Sequence, residues 1–318
     1  MVTGAYQFDC YPQENSVVEV NVTLVPRRNG VKIGHMPLTS MFFIGANDHR
    51  ICDAFRPELH DSDGLQMHSG TGEWMWRPLR NPTIAKTSSF FDRDLQGFGL
   101  FQRDRDFTHY EDIDLAYQLR PSYWVTPKTK LGEGHVELFE MPTTDESNDN
   151  VVASWVSKDD VQPGRQLNYS YSITSALDLR SLSNMGKVVA TFQTAARALG
   201  TSEPDLPNVR RFMIDFNSGD LGYYADDPAQ VQIVATTDTG RILRSSTQGN
   251  PFIKGFRGTL DVEVPPGATA NLRAYLKAGP TTLTETWMYS WDAPQLPAPP
   301  APPQPASSPA PVSPPAAH

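Results

Sequence analysis

Short apolar or alternating runs, each bounded by Gly, Pro, Asn, Asp or Ser, set the rhythm of this chain. Segments 17–24, 41–44, 97–102, 136–141, 151–156 and 167–173 each fit a strand with one face on a core. Residues 178–186 are polar and lose that pattern, which marks a boundary. A second set follows at 188–193, 211–216, 231–236, 256–264, 270–277 and 283–289, and that strand density fits an immunoglobulin-like sandwich. Apolar residues at helical spacing are scarce, and the one candidate helix, 191–199, reads equally well as strand and loop. The pattern predicts an all-β chain with units at 1–177 and 187–292 joined by a linker at 178–186. From residue 293 to 318 the sequence is almost only Pro, Ala, Ser and Gln, which cannot bury a core and predicts an extended, disordered tail.

One stretch breaks the rhythm. Between residues 56 and 78, acids, histidines, glycines and two tryptophans crowd together, and from 58 to 72 neither the helical nor the strand period is present. Glycines at 64, 70 and 72 suggest tight turns, so the segment reads as a binding loop. Carboxylates and aromatics together suit a sugar, whose hydroxyls want acceptors and whose ring faces want flat apolar surfaces. Within it, His60-Asp61-Ser62-Asp63-Gly64 resembles the start of a calcium loop. The acidic twelfth ligand is missing, because Gly72 stands there. Asp61 and Asp63 fit equally well as turn caps. Trp74 and Trp76 would share one face of a strand, either as core or as a sugar platform.

Two further groups carry possible chemistry. Thr143-Thr-Asp-Glu-Ser-Asn-Asp-Asn150 immediately precedes a strand, where acids can face a cleft. Glycoside hydrolysis needs two carboxyl groups, and Asp61 or Asp63 with Glu146 or Asp149 could supply them; solvated loop acids are the plainer reading. The segment 103–124 mixes alternating charges with Tyr110, Tyr117, Tyr123 and Trp124, either an ion-paired surface or an aromatic platform.

Charge and composition narrow the partners. The net charge of −9, with basic residues scattered singly, argues against nucleic acid. No apolar run approaches the roughly 20 residues of a membrane helix. The first residues lack the basic start and apolar core of a secretory signal. Two cysteines, Cys10 and Cys52, allow one bridge but no disulfide framework, and neither has a second Cys or His at ligand spacing. No motif calls for a metal or an organic cofactor, so none is expected.

Six segments in one order resemble the osmoregulated periplasmic glucan biosynthesis proteins G and D: Pro37-Leu-Thr-Ser-Met-Phe, Arg56-Pro-Glu-Leu-His-Asp-Ser-Asp-Gly, Gly72-Glu-Trp-Met-Trp-Arg-Pro-Leu, Gln96-Gly-Phe-Gly-Leu, Arg120-Pro-Ser-Tyr-Trp-Val-Thr-Pro and Asp145-Glu-Ser-Asn-Asp-Asn. The resemblance implies part of a galactose-mutarotase-like β-sandwich followed by an immunoglobulin-like domain. It also implies a periplasmic location and a β-1,2-linked glucan as ligand. By similarity to inverting β-1,2-glucanases, Asp149 would be the general acid and Asp61 the general base. Glu146 and Tyr117 would position substrate or relay protons, and Asp63, Trp74, Trp76 and Trp124 would line the glucan cleft. A glucan-binding protein that guides assembly without chemistry is the alternative. Such proteins begin with a signal peptide and roughly half of the large sandwich ahead of the point that Met1 matches, so the resemblance implies a shortened chain with exposed strand edges.

Overall fold

The computed structural model describes residues 2–49, 54–159, 161–197 and 206–295. The first thirteen strands are β1 (Val2–Tyr11), β2 (Ser16–Pro26), β3 (Gly34–Ser40), β4 (Phe42–Ile44), β5 (Leu59–His60), β6 (Gly64–His68), β7 (Trp74–Pro78), β8 (Lys86–Arg93), β9 (Gly97–Phe101), β10 (Ser122–Pro127), β11 (Glu133–Glu140), β12 (Val151–Ser157) and β13 (Leu167–Ala176). Eight more follow: β14 (Lys187–Ala195), β15 (Val209–Asn217), β16 (Val231–Thr237), β17 (Arg241–Asn250), β18 (Gly255–Glu263), β19 (Thr269–Ala278), β20 (Thr281–Thr282) and β21 (Thr286–Asp292). The only α-helix among the described residues is one turn, α1 (Phe107–Tyr110). The chain is all-β, as its pattern predicts.

An eleven-stranded sheet runs β1-β2-β13-β10-β9-β6-β7-β21-β19-β16, with β20 beside β19. The sheet β3-β12-β11-β8 covers one part of it and encloses a core that includes Val20, Met67, Phe98, Leu100, Val136 and Trp155. The sheet β14-β15-β18-β17 encloses a second core with β21, β19 and β16, around Phe212, Phe216, Leu260, Leu272 and Trp287. The two sandwiches are not separate. Met75 and Trp76 of β7 pair in parallel with Thr286 and Trp287 of β21, so one sheet crosses the boundary read at 178–186.

This continuity explains the strands that the pattern hid. Met75, Leu100 and Val125 point into the first core, whereas their neighbours Trp76, Phe101 and Trp124 point into the second. Strands β7, β9 and β10 are thus covered on both faces, and a strand without a wet face has no polar alternation to display; β9 still reads as a strand at 97–102 from its apolar run, whereas β7 and β10 do not. The stretch expected to be one long loop at 56–78 contains β5, β6 and β7, with the glycine-rich turn confined to 69–73. At Gly64 on β6 a Cβ would lie 2.1 Å from the Trp76 ring, so only glycine fits there. The segment 191–195 is the end of β14, while residue 199 falls outside the described residues.

Buried carboxylates of Glu140 and Glu285 are each paired with an arginine, the first across two sheets. Arg77 of β7 and Glu140 of β11 meet at 3.0 Å, with side chains 1% and 0% exposed. Glu285 accepts from Arg103 at 2.6 Å and from the Val188 backbone N–H at 2.8 Å, and Gln66 donates to its other oxygen at 3.0 Å. At the far edge β1 carries Tyr6 and Phe8, exposed and stacked at 5.8 Å. At the other end of the chain, Ala293, expected to begin the tail, is buried and exchanges backbone hydrogen bonds with Gly267 and Ala268. Residues 296–318 and Cys52 lie outside the described residues, and Cys10 is exposed.

Candidate active site

A small third core underlies the acidic residues. Met41, Phe43 and Ile44 pack with Leu59, Tyr110 and Tyr117, apart from the two sandwich cores. This cluster ties three segments together: β4, β5 with the turn after it, and the stretch from α1 to the 3-10 turn Tyr117–Leu119. Each carries part of the site.

Asp61, Ser62 and Asp63 form the turn between β5 and β6, and because these residues lie outside the strand pairing the two acids take different surroundings. The Asp63 carboxylate accepts the backbone N–H groups of Arg103 and Asp104, both at 3.0 Å, which fastens the turn to the end of β9. Burial pushes the Asp63 pKa up, although the charges of His60 and Arg103 oppose it. Asp61 instead keeps its side chain 30% exposed, with one oxygen 3.2 Å from Nε of Arg120. Burial raises its pKa as well; Arg120 opposes that shift and the nearby charge of Asp149 adds to it.

Asp149 comes from the loop after β11, and the residue beside it fixes its place. The buried Asn150 amide accepts from the Phe42 N–H at 2.8 Å and donates to the carbonyls of Phe42 and Met141 at 3.0 and 2.9 Å. The Asp61 N–H meanwhile donates to the Met41 carbonyl at 2.9 Å. Asp61 and Asp149 therefore flank one backbone segment, Met41–Phe42, which accounts for the effect of the Asp149 charge on Asp61. Asp149 is exposed and Asp61 is recessed.

Arg56 organises the rest. Its guanidinium pairs with Asp112 at 3.2 Å and with Glu146 at 2.7 Å, and it lies 5.9 Å from the Tyr117 ring centre. Arg120 lies 5.0 Å from the same ring. The hydrogen bond from Arg56 lowers the Glu146 pKa, so that carboxylate stays ionised. Burial, reinforced by the charge of Asp61, raises the Tyr117 pKa and keeps its hydroxyl protonated. Left-handed Glu111 and Ala116, with φ of 55° and 45°, bracket the loop that delivers Tyr117.

Behind the site, Gln102 acts as a polar pin. Its Nε2 donates to the carbonyls of His60 at 2.9 Å and Tyr117 at 3.2 Å, which leaves Oε1 to accept from Nδ1 of His60 at 2.8 Å. The other ring nitrogen of His60 faces Glu58 at 3.1 Å. Burial alone would lower the His60 pKa, but the Glu58 hydrogen bond and the charge of Asp63 outweigh it.

The residues matched by this site and fold fall inside a known family. The family model described as "Periplasmic glucan biosynthesis protein, MdoG" matches residues 1–291. This chain belongs to the MdoG family. It is 42% identical over 298 residues to the "Probable glucans biosynthesis protein D" of Shewanella oneidensis, an alignment covering 93% of this chain and 54% of that protein. The chain thus spans about half the length of the curated relative it matches.

In this MdoG-family chain, Asp61, Asp149, Glu146 and Tyr117 come together, whereas Asp63 and the three tryptophans do not join them. Trp76 and Trp124 are 3% and 4% exposed in the second core, and the Arg103 guanidinium lies 3.5 Å from the Trp76 ring centre. Trp74 stacks on His68 at 4.0 Å and lines a separate cleft of about 490 Å³ with Arg103, Arg105 and Lys187. Burial lowers the Lys187 pKa to about 8. Arg56, Arg120 and Asp112 were missing from the residues singled out as candidates. The signal available for Arg56 and Arg120 is that each opens one of the family-like segments, while Asp112 has none.

Proposed function

We propose that this cluster is the cleavage centre of a periplasmic protein that processes the β-1,2-glucan backbone by inverting hydrolysis. Asp149, exposed toward incoming substrate, protonates the glycosidic oxygen as the bond to the anomeric carbon breaks. Asp61 receives the proton of the attacking water through a relay, since it is recessed beside Tyr117 and Arg120. Inverting enzymes separate their carboxyl groups by about 6.5–9.5 Å to admit that water, and a relay allows more. A base whose pKa is raised toward the working pH is better matched to take a proton than an ordinary aspartate. Glu146, held ionised by Arg56, and the protonated Tyr117 offer an acceptor and a donor for sugar hydroxyls.

What carries the reading is the relation of Asp61 to Asp149: two carboxyl groups of unlike exposure on either side of Met41–Phe42, with the charge of Asp149 felt at Asp61. The periplasmic location and the immunoglobulin-like character of the second sandwich belong to the same reading. The experiment is incubation of the purified protein with linear β-1,2-glucan, with product anomers followed by NMR. Shorter glucans of inverted configuration are expected, with release abolished and binding retained in Asp149→Asn. Binding without release in the unaltered protein would leave a glucan-binding protein that guides assembly. Neither binding nor release would remove the reading.

A further inference from the structure

Glu58, Asp104 and His109, none of them a member of the proposed cleavage centre, each place one ligand atom within 4.8 Å of the others. The backbone holds them there. The Glu58 N–H donates to the His109 carbonyl at 2.8 Å, and the Asp106 carboxylate caps α1 by accepting from Thr108 at 2.9 Å. Asp104 accepts from the Asp106 N–H at 3.0 Å and meets Nδ1 of His109 at 2.5 Å.

Three further observations point to a ligand. The trio lines a cleft of about 450 Å³, so an ion would have access and room for water. Asp63 lines the same cleft, and its Oδ1 is buried with no hydrogen-bond partner among the described residues. Glu58 also has its carboxylate oriented from behind by His60, itself held by Gln102, which is the outer support that metal-binding carboxylates usually have.

We propose that Glu58, Asp104 and His109 bind a divalent transition-metal ion of the zinc class. Two carboxylates and one imidazole suit a borderline ion better than calcium, which takes oxygen ligands alone. Bond lengths of about 2.0–2.2 Å to such an ion would space the ligand atoms roughly 3.4 Å apart, so Asp104 and His109 would exchange their 2.5 Å contact for bonds to the ion while the wider separations, all within 4.8 Å, close. With three protein ligands, the fourth position faces the cleft and holds water. The ion would strap the segment 104–117, which delivers Tyr117, to the segment 56–61, which delivers Arg56 and Asp61. Nothing in the sequence spacing announces this site, because its members are scattered at positions 58, 104 and 109.

The probe is Zn²⁺ itself, titrated by calorimetry into chelator-treated protein and checked by the thermal midpoint. One ion per chain is expected, with a rise in midpoint, and affinity at least about tenfold weaker in His109→Gln and in Asp104→Asn. No uptake, or equal affinity in the unaltered protein and the His109→Gln variant, overturns the proposal. His109 is half exposed, so its substitution leaves the fold intact and decides the matter even where Asp104→Asn does not fold.

Discussion

Asn150 grips Phe42 by both its N–H and its carbonyl, and so one side-chain amide behaves toward β4 as a neighbouring strand would. A third bond to Met141 closes the base of the acidic loop. The position of Asp149 therefore depends on its neighbour.

Asn150→Ala should leave the N–H and carbonyl of Phe42 without those partners in a buried setting. A loss of about 1–3 kcal/mol for each unsatisfied group is the usual scale. Chemical denaturation should show that loss, and glucan release should fall further than in a stability-matched variant elsewhere, because the Asp149 loop is unmoored. Unchanged stability would mean that the clasp is not formed in solution.

Arg56→Lys should weaken the site while keeping its charge. A single ammonium lacks the two separated N–H edges by which the guanidinium fork reaches Asp112 and Glu146 at once, so it serves the pair less well. We expect lower glucan affinity with little change in thermal midpoint, measured side by side on one preparation.

Glu140→Gln should be far more costly than a surface substitution. It strands the buried Arg77 guanidinium, whose pKa burial already lowers against the support of Glu140. Breaking one side of such a pair costs about 3–5 kcal/mol. A double replacement of Arg77 and Glu140 by apolar residues of similar volume should recover much of that loss in urea melts.

The Asp61 carboxyl should make stability depend on pH. Its folded pKa is raised, so the stability it contributes is present below the ordinary carboxylate range and is lost as pH rises through the raised value. Asp61→Asn should accordingly be more stable than the unaltered protein at neutral pH, with the advantage vanishing in acid. Melting curves across pH 3–7 check this; a difference that does not vary with pH would exclude it.

Much of the fold was legible because strands with one wet face declare themselves. The run 136–141 overlaps β11 from 136 to 140, and burial alternates strictly along that strand. Strands β6 and β7 were hidden for the opposite reason, since cores on both sides erase alternation and leave glycines and tryptophans that mimic a loop. The acids Asp61 and Asp149 stood out by density of charge and by family likeness. Arg56 and Arg120 did not, because their meaning lies in partners far along the chain. Trp76 read equally as core or as a sugar platform, and its pairing with Trp287 and its burial among the second core's residues make it core.

The parallel pairing of β7 with β21 has a consequence for how the chain is made. Residue 76 leaves the ribosome long before residue 287, and until then one long edge of β7 has no strand beside it. Meanwhile β7 is the edge of the first sandwich, open to other strand edges, and it becomes an interior strand only when the last strand of the second sandwich arrives.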